Sequence, residues 1–128
     1  MSTLTNYIVI RSDPFDLQAE QQRTFTFELP GELVMDLNAA RPILAYKISP
    51  LALSSWATRT TLVIDMNEHR LAYLQLEHTI PRGLWEIFPA YFLYVNSTNL
   101  VQFRLLSGAV QLADVVLWFQ RQASSDKS

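Results

Sequence analysis

The chain has 128 residues, a formal net charge of −2, no cysteine and a hydrophobic fraction of 49%. This length suits one domain, and the lack of cysteine excludes disulfides and thiolate metal sites. The basic residues are scattered, so no Lys/Arg run supplies the phosphate contacts on which nucleic-acid binding depends, and we expect no nucleic-acid partner. Charged residues make up only 17%, which favours a surface partly covered by a partner.

Short segments rich in β-branched and aromatic residues recur along the chain, separated by prolines and other turn residues. They predict strands at residues 7–11, 23–29, 33–37, 43–48, 60–66, 70–78, 84–88, 91–95, 100–106 and 110–120. Only residues 51–57 and 32–40 have patterns that also permit a helical turn. The whole pattern predicts an all-β fold, an antiparallel β-sandwich in a single domain of residues 1–122, followed by a polar tail at 123–128.

The turn after the fifth predicted strand carries a cluster of oxygen-bearing side chains. Asn67-Glu68-His69 is predicted to be a tight hairpin connection, because asparagine tolerates the left-handed backbone conformation. Asp65, Asn67 and Glu68 are weak candidates for cation binding, but three oxygen ligands fall short of the six to eight that calcium takes. We therefore expect a hairpin tip, with no metal and no cofactor.

Residues 97–120 contain two alternating apolar stretches that meet at Ser107-Gly108, and they predict two long antiparallel strands. In the first stretch Val101, Phe103 and Leu105 share one face.

In the second stretch the middle of the strand is apolar on both faces, which is typical of a strand near the centre of a sheet. Strict alternation places Asp114 on the same face as Val116 and Trp118. If that face is covered, the Asp114 carboxylate needs hydrogen-bond donors, since an unpaired buried charge is costly. We expect Phe103, Val116 and Trp118 to belong to the core.

The second half of the chain contains four features that occur together in one group of proteins. They are a strand that ends near Asp65-Met66-Asn67, a strand around Trp85, an N-L-V-x-F-x-x-x-S-G pattern at 99–108, and a D-V-V-L-W-F pattern at 114–119. On these features residues 60–121 resemble the galactose-binding-domain-like jelly rolls, which include many carbohydrate-binding modules. The resemblance implies a jelly-roll sandwich with sugar contacts on its loops, although Glu68 stands where such hairpins usually have glycine.

Catalytic motifs are missing from the sequence, which has no P-loop, dinucleotide-binding glycine pattern, H-E-x-x-H or G-x-S-x-G. His69 and His78 are nine residues apart along a predicted strand, so they face opposite sides of a regular strand and cannot chelate one metal ion. Glu77 and Glu86 could form a glycosidase-type carboxylate pair, but a choice of two among twelve acids has almost no specificity. We expect that the protein is not an enzyme.

Several aromatic residues lie in or near predicted connections, beside side chains that can donate hydrogen bonds. An exposed ring next to such donors is a common way to bind a sugar, although aromatic residues in a sandwich are more often part of the core. The candidate ligand-binding residues are Trp56, Arg59, Arg82, Trp85 and Tyr91.

Two functions follow from these features. The first is a non-catalytic structural module, a subunit of a larger homo- or hetero-oligomeric particle such as a phage or virus virion, where it decorates a capsid or forms part of a tail. Its partners would be copies of itself or other particle subunits. The alternative is a carbohydrate-binding module or lectin, with a glycan as its partner. In both cases we expect a soluble protein without a signal peptide, made in the cytoplasm and not inserted in a membrane.

Overall fold

The computed structural model describes residues 3–29, 41–51, 59–76 and 81–122, with side chains for residues 5–120 of these ranges. These residues form nine strands and one short 3₁₀ helix, Ala90–Phe92. The strands are β1 (Thr3–Arg11), β2 (Phe15–Gln18), β3 (Gln22–Glu28), β4 (Ile43–Pro50), β5 (Thr60–Met66), β6 (His69–Leu76), β7 (Arg82–Ile87), β8 (Thr98–Ser107) and β9 (Ala109–Gln122).

The strands form two antiparallel sheets that pack face to face. The first sheet has the order β1-β9-β4-β7, and β2 pairs with the N-terminal half of β9 on the same side as β1. The second sheet has the order β3-β8-β5-β6. The predicted all-β, antiparallel β-sandwich is confirmed.

Alternating side chains from both sheets fill the space between them, as the period of two requires. On β8 the side chains of Val101, Phe103 and Leu105 are completely buried, as the sequence predicts. Phe103 packs edge-to-face against Phe15 from β2 and Tyr46 from β4, with ring centroids 5.7 and 6.1 Å apart. These contacts hold the two sheets together at the centre of the sandwich.

The two long strands predicted around Ser107-Gly108 exist, but they lie in different sheets. The chain crosses from the second sheet to the first at Gly108, whose φ is +86°. A Cβ atom there would lie 2.4 Å from Thr60 Oγ1 and 2.8 Å from Thr60 Cα. The crossing therefore needs glycine both for its backbone conformation and for its close approach to β5.

A β-bulge at Asp114 interrupts the alternation of β9. Residues 114 and 115 together lie opposite the single residue Tyr46 of β4, and Asp114 has a φ of +50°. Before the bulge, Val110 and Leu112 face the core; after it, Val115, Leu117 and Phe119 do. The bulge adds one residue and so reverses the parity of the strand.

This reversal corrects the prediction that Val116 and Trp118 belong to the core. Both lie on the outer face of the first sheet, and Trp118 is 41% exposed. Asp114 is not buried either. Its carboxylate lies 3.1 Å from Lys47 Nζ, and both side chains of this ion pair are exposed.

Other differences from the predicted elements have local causes. The predicted strand at 91–95 is wrong, since the 3₁₀ helix Ala90–Phe92 occupies its start, and the carbonyl of the preceding Pro89 accepts a hydrogen bond from Phe92 N–H. Strand β2 was not predicted, because four residues show too little alternation. The predicted strand at 33–37, most of the helical turn at 51–57 and the tail at 123–128 lie outside the described residues.

Two buried asparagines join the β5–β6 hairpin to the loop that precedes β8. Asn67 and Glu68 both have positive φ, which gives the predicted tight hairpin. Asn67 Nδ2 donates to Asn99 Oδ1 at 2.8 Å and to the Phe92 carbonyl at 2.7 Å. Asn99 Oδ1 also accepts from Tyr94 N–H, and Asn99 Nδ2 donates to the Tyr94 carbonyl. These bonds fix the loop after the 3₁₀ helix on the end of the second sheet.

Candidate functional site

The outer face of the first sheet carries a continuous band of apolar side chains across four strands. Cross-strand partners form two parallel rows, each with one residue from β1, β9, β4 and β7. We call these eight residues the aromatic band: Tyr7, Trp118, Ile43 and Ile87 in the first row, and Val9, Val116, Ala45 and Trp85 in the second.

The tryptophans of the aromatic band stand on the two sides of strand β4. Trp118 lies directly opposite Ile43, and Trp85 lies directly opposite Ala45. Between them is a groove of about 290 Å³ whose lining residues are Ile43, Ala45, Trp85 and Trp118. The side chain of Trp85 is 71% exposed, so its ring is available to a ligand. Two exposed indole rings over an aliphatic floor form an apolar, aromatic-walled recess.

Trp118 is part of a second aromatic contact at the β1 side of the groove. Its ring centroid lies 5.0 Å from that of Tyr7, with the ring planes tilted by 39°. Tyr7 is 55% exposed. The aromatic surface thus continues from the groove to strand β1.

Polar residues border the aromatic band on both of its long sides. On one side the Lys47–Asp114 ion pair occupies the next outward positions of β4 and β9. On the other side Thr5 and Gln120 are cross-strand partners two residues beyond Tyr7 and Trp118. A ligand on the band therefore meets apolar groups beneath it and hydrogen-bonding groups along its edges.

The outer face of the second sheet has a different chemistry. A cleft of about 410 Å³ near the hairpin tip is lined by Thr24, Asp65, Asn67, Glu68, Leu100 and Gln102, most of which carry polar side-chain groups. Asp65 Oδ1 accepts a hydrogen bond from Arg70 Nε at 2.7 Å. Asn67 Oδ1 accepts the N–H of Leu100 at 2.8 Å. One carboxylate oxygen of Asp65 and the amide oxygen of Asn67 thus already accept hydrogen bonds within the fold.

The predicted ligand-binding residues do not form one site. Trp85 lies in the middle of β7 and belongs to the groove. Arg82 is the first residue of the same strand and pairs with Ile48 of β4. It therefore lies at the other end of β7 from Ile87. Tyr91 belongs to the 3₁₀ helix and contacts His69 of the β5–β6 hairpin, with ring centroids 6.3 Å apart.

The remaining two predicted residues lie elsewhere. Arg59 precedes β5, and its carbonyl accepts a hydrogen bond from Ser107 Oγ at 2.6 Å. It is therefore at the end of β5 opposite the hairpin that Tyr91 contacts. Trp56 lies outside the described residues, as do Glu77 and His78.

Sequence reasoning missed Tyr7 and Trp118, the two residues that extend the site from Trp85. An aspartate in the middle of an otherwise apolar strand is the signal that could have indicated the bulge, because aspartate is one of the few residues that enter the left-handed region readily. A bulge at Asp114 would have predicted the outward orientation of Trp118.

A buried tyrosine lies beneath the groove, on the inner side of the same strand. Tyr46 Oη donates a hydrogen bond to Glu86 Oε2 at 2.7 Å. Burial, followed by the hydrogen bond and the charge of Glu86, raises the pKa of Tyr46 far above its usual value. Tyr46 is therefore a neutral hydrogen-bond donor that fixes β7 against β4.

Among the described residues no three His, Asp or Glu side chains are grouped closely enough to hold a metal ion. Nor do these residues include a helix of the length and hydropathy that crossing a membrane requires.

Comparison with known proteins gives matches in structure and none in sequence. No family model matches the chain, and no curated protein does. Dimeric latent PorU from Porphyromonas gingivalis aligns with a TM-score of 0.74 at 11% identity, over 95% of this chain. This chain spans only 13% of the length of that structure.

Two smaller structures also align. The C-terminal domain of EclA, a sugar-binding protein, matches with a TM-score of 0.51 at 13% identity, over 91% of this chain and 79% of the other. The C-terminal CBM6 of LamC from Zobellia galactanivorans matches 91% of this chain and 99% of the other, at 9% identity and a TM-score of 0.46.

The chain has a β-sandwich fold similar to that of the EclA C-terminal domain. The fold implied by the sequence resemblance is thus confirmed, while identities this low say nothing about the ligand. Nothing in these matches supports the virion hypothesis.

Proposed function

We propose that this protein binds glycans, without catalysis, on the aromatic band of the first sheet. The observation that carries the proposal is the placement of Trp85 and Trp118 on the two sides of one groove, both exposed. The sugar-binding EclA domain with the same type of fold supports it.

The chemistry of the band fits a pyranose ring. A sugar ring has C–H groups on its two faces and hydroxyl groups around its edge, and the faces stack on aromatic rings. In the groove the faces would contact Trp85 and Trp118, while the hydroxyls would meet water or the polar borders such as Lys47. Few convergent polar groups beside a mainly apolar surface are typical of small-ligand sites.

We propose that the groove binds the sugar and carries out no chemical step on it. The floor of the groove is Ile43 and Ala45, whose side chains contain no acid, base or nucleophile. Asp114, at the border, is held in the ion pair with Lys47. The groove can hold a sugar and exclude water from its faces, which is sufficient for a binding module.

A glycan array with fluorescently labelled protein tests the proposal. We expect the wild type to bind a subset of glycans, and both Trp85→Ala and Trp118→Ala to lose at least about 90% of that signal, equivalent to about 1.4 kcal/mol or more. Tyr73→Ala is the matched control, because Tyr73 is an aromatic residue on the outer face of the second sheet whose exposed fraction lies between those of Trp118 and Trp85.

Thermal melts of each variant must show that it remains folded. Binding that survives both tryptophan substitutions, or that Tyr73→Ala abolishes instead, would place the glycan site elsewhere. No binding to any glycan would overturn the proposed function.

Self-association on the same face is the second candidate. Tyr7, Val9, Trp85, Ile87 and Trp118 are all exposed on this face, and contiguous apolar surface of this kind often marks a protein interface. Light scattering across a range of concentrations separates the two candidates. A dimer that Trp85→Glu dissociates would support self-association, and a monomer at all concentrations would exclude it.

A further inference from the structure

We infer that the ligand is an extended, uncharged polysaccharide that lies across the strands of the first sheet and is bound at internal positions of its chain. This inference rests on the proposed function and specifies the class of glycan. Three features of the aromatic band carry it: its length, its extension to both edges of the described sheet, and its polar borders.

The aromatic band is longer than a single sugar. Tyr7 on β1 and Trp85 on β7 are separated by three strand spacings, about 14 Å. A monosaccharide between Trp85 and Trp118 would leave the surface of Tyr7 uncovered. A chain of several sugars can contact all three rings, with the Tyr7–Trp118 pair as one subsite and Trp85 as another.

Among the described residues the band runs from one edge of the first sheet to the other. Among the described strands β1 and β7 are the two edges of the first sheet, and the band reaches both of them. A terminal sugar is usually recognised in a pocket closed on one side, since the site must contact the end of the chain. Here a polysaccharide could continue past Tyr7 and past Ile87, so internal segments fit the site.

The borders set the chemistry of the sugar. The two polar sides run parallel to the proposed chain direction, with Thr5 and Gln120 on one side and Lys47 and Asp114 on the other. A sugar with equatorial hydroxyls, such as β-1,4-linked glucose, directs those hydroxyls sideways and leaves both faces apolar. Axial hydroxyls would point into the aromatic rings and lose their water without a partner.

The ion pair at the border of the band disfavours an acidic polysaccharide. Lys47 lies 3.1 Å from the carboxylate of Asp114, so its charge is already compensated. A chain of uronic acids would bring many carboxylates beside Asp114 with no free cation of this pair to balance them. An uncharged chain incurs no such cost.

Isothermal titration with soluble β-1,4-linked glucose oligomers of one to six units tests the inference. We expect the affinity to rise by at least about tenfold from one unit to three, about 1.4 kcal/mol, and then to level off. Tyr7→Ala should lower the affinity for longer oligomers and leave that for the shortest ones unchanged. Tyr73→Ala should change neither, and polygalacturonate should compete weakly.

The outcomes separate this inference from the proposed function. If a single sugar binds as tightly as six units, or if only polyuronates or branched terminal sugars bind, the inference is wrong while glycan binding stands. If Tyr7→Ala has no effect on any oligomer, the chain does not cross the strands. If no glycan of any class binds, the proposed function itself fails.

Discussion

Asp114 determines the face of the sheet on which Trp118 lies. The two residues share strand β9, and the left-handed backbone at Asp114 adds one residue to the strand ahead of Trp118. In a regular strand the indole would point into the core, where Leu117 now packs. The bulge thus couples a backbone conformation to the aromatic surface that forms the proposed site.

The first prediction concerns this bulge. We expect Asp114→Val to lower the free energy of unfolding by about 2 kcal/mol, because a β-branched residue is strained at a φ of +50°. Urea denaturation measures the change. The variant should also bind glycan less well, since a strained bulge misplaces Trp118.

Two variants at the same position provide the controls. Asp114→Gly should change the free energy of unfolding by less than Asp114→Val does, since glycine adopts positive φ without strain. Asp114→Asn removes the charge, while asparagine tolerates the left-handed conformation as aspartate does. It therefore measures the contribution of the exposed ion pair with Lys47 to the free energy of unfolding, which we expect to be at most about 1 kcal/mol. Equal destabilisation by all three substitutions would contradict the role of the backbone conformation.

The second prediction concerns the crossing between the sheets. Gly108→Ala should lower the free energy of unfolding by at least about 2 kcal/mol, because its Cβ would meet Thr60 at a positive φ. Gly83→Ala is the matched control, since a Cβ there meets only the Tyr46 carbonyl oxygen, at 3.9 Å. Chemical denaturation of both variants measures the difference. Similar stability of the two would mean that the crossing has more room than its geometry indicates.

The third prediction concerns the buried asparagines. Asn99→Asp should lower the free energy of unfolding by about 2 to 4 kcal/mol, because a carboxylate cannot donate to the carbonyls of Tyr94 and Ser97. The exposed Asn96→Asp should have little effect. Thermal and urea unfolding provide the values. The network would lack the proposed role if both substitutions were equally mild.

The fourth prediction concerns alkaline pH. The folded protein holds the pKa of Tyr46 above its unfolded value of 10.0, so above that pH the unfolded state releases a proton that the folded state keeps. The stability contributed by neutral Tyr46 is complete below pH 10 and is lost as the pH rises further, by up to about 1.4 kcal/mol per pH unit.

Tyr46→Phe removes this titration and tests the assignment. The variant is expected to be less stable at pH 7, through loss of the bond to Glu86, but to lose less stability than the wild type between pH 10 and 12. The exposed Tyr73→Phe should keep the wild-type slope. Parallel pH profiles for wild type and Tyr46→Phe would show that another group controls the alkaline transition.

Local features of the sequence determined the strands and the fold class. Alternation at Val101, Phe103 and Leu105 predicts an inner face because side-chain direction in a regular strand depends only on parity. Asn67 predicts the hairpin because the conformational preference of asparagine is local. These properties depend on the nearest neighbours along the chain, so they could be predicted.

The proposed site depended on tertiary structure. The residues of the site are far apart in sequence, and only the strand order β1-β9-β4-β7 places them side by side. They are Tyr7, Ile43, Trp85 and Trp118. The outward orientation of Trp118 depends on the bulge at Asp114, where the pairing of β9 with β4 accommodates one extra residue of β9. Strict alternation of side chains along an unbroken strand predicts Trp118 in the core. Strand order and register are properties of contacts between distant segments, and they decided which aromatic residues reach the surface.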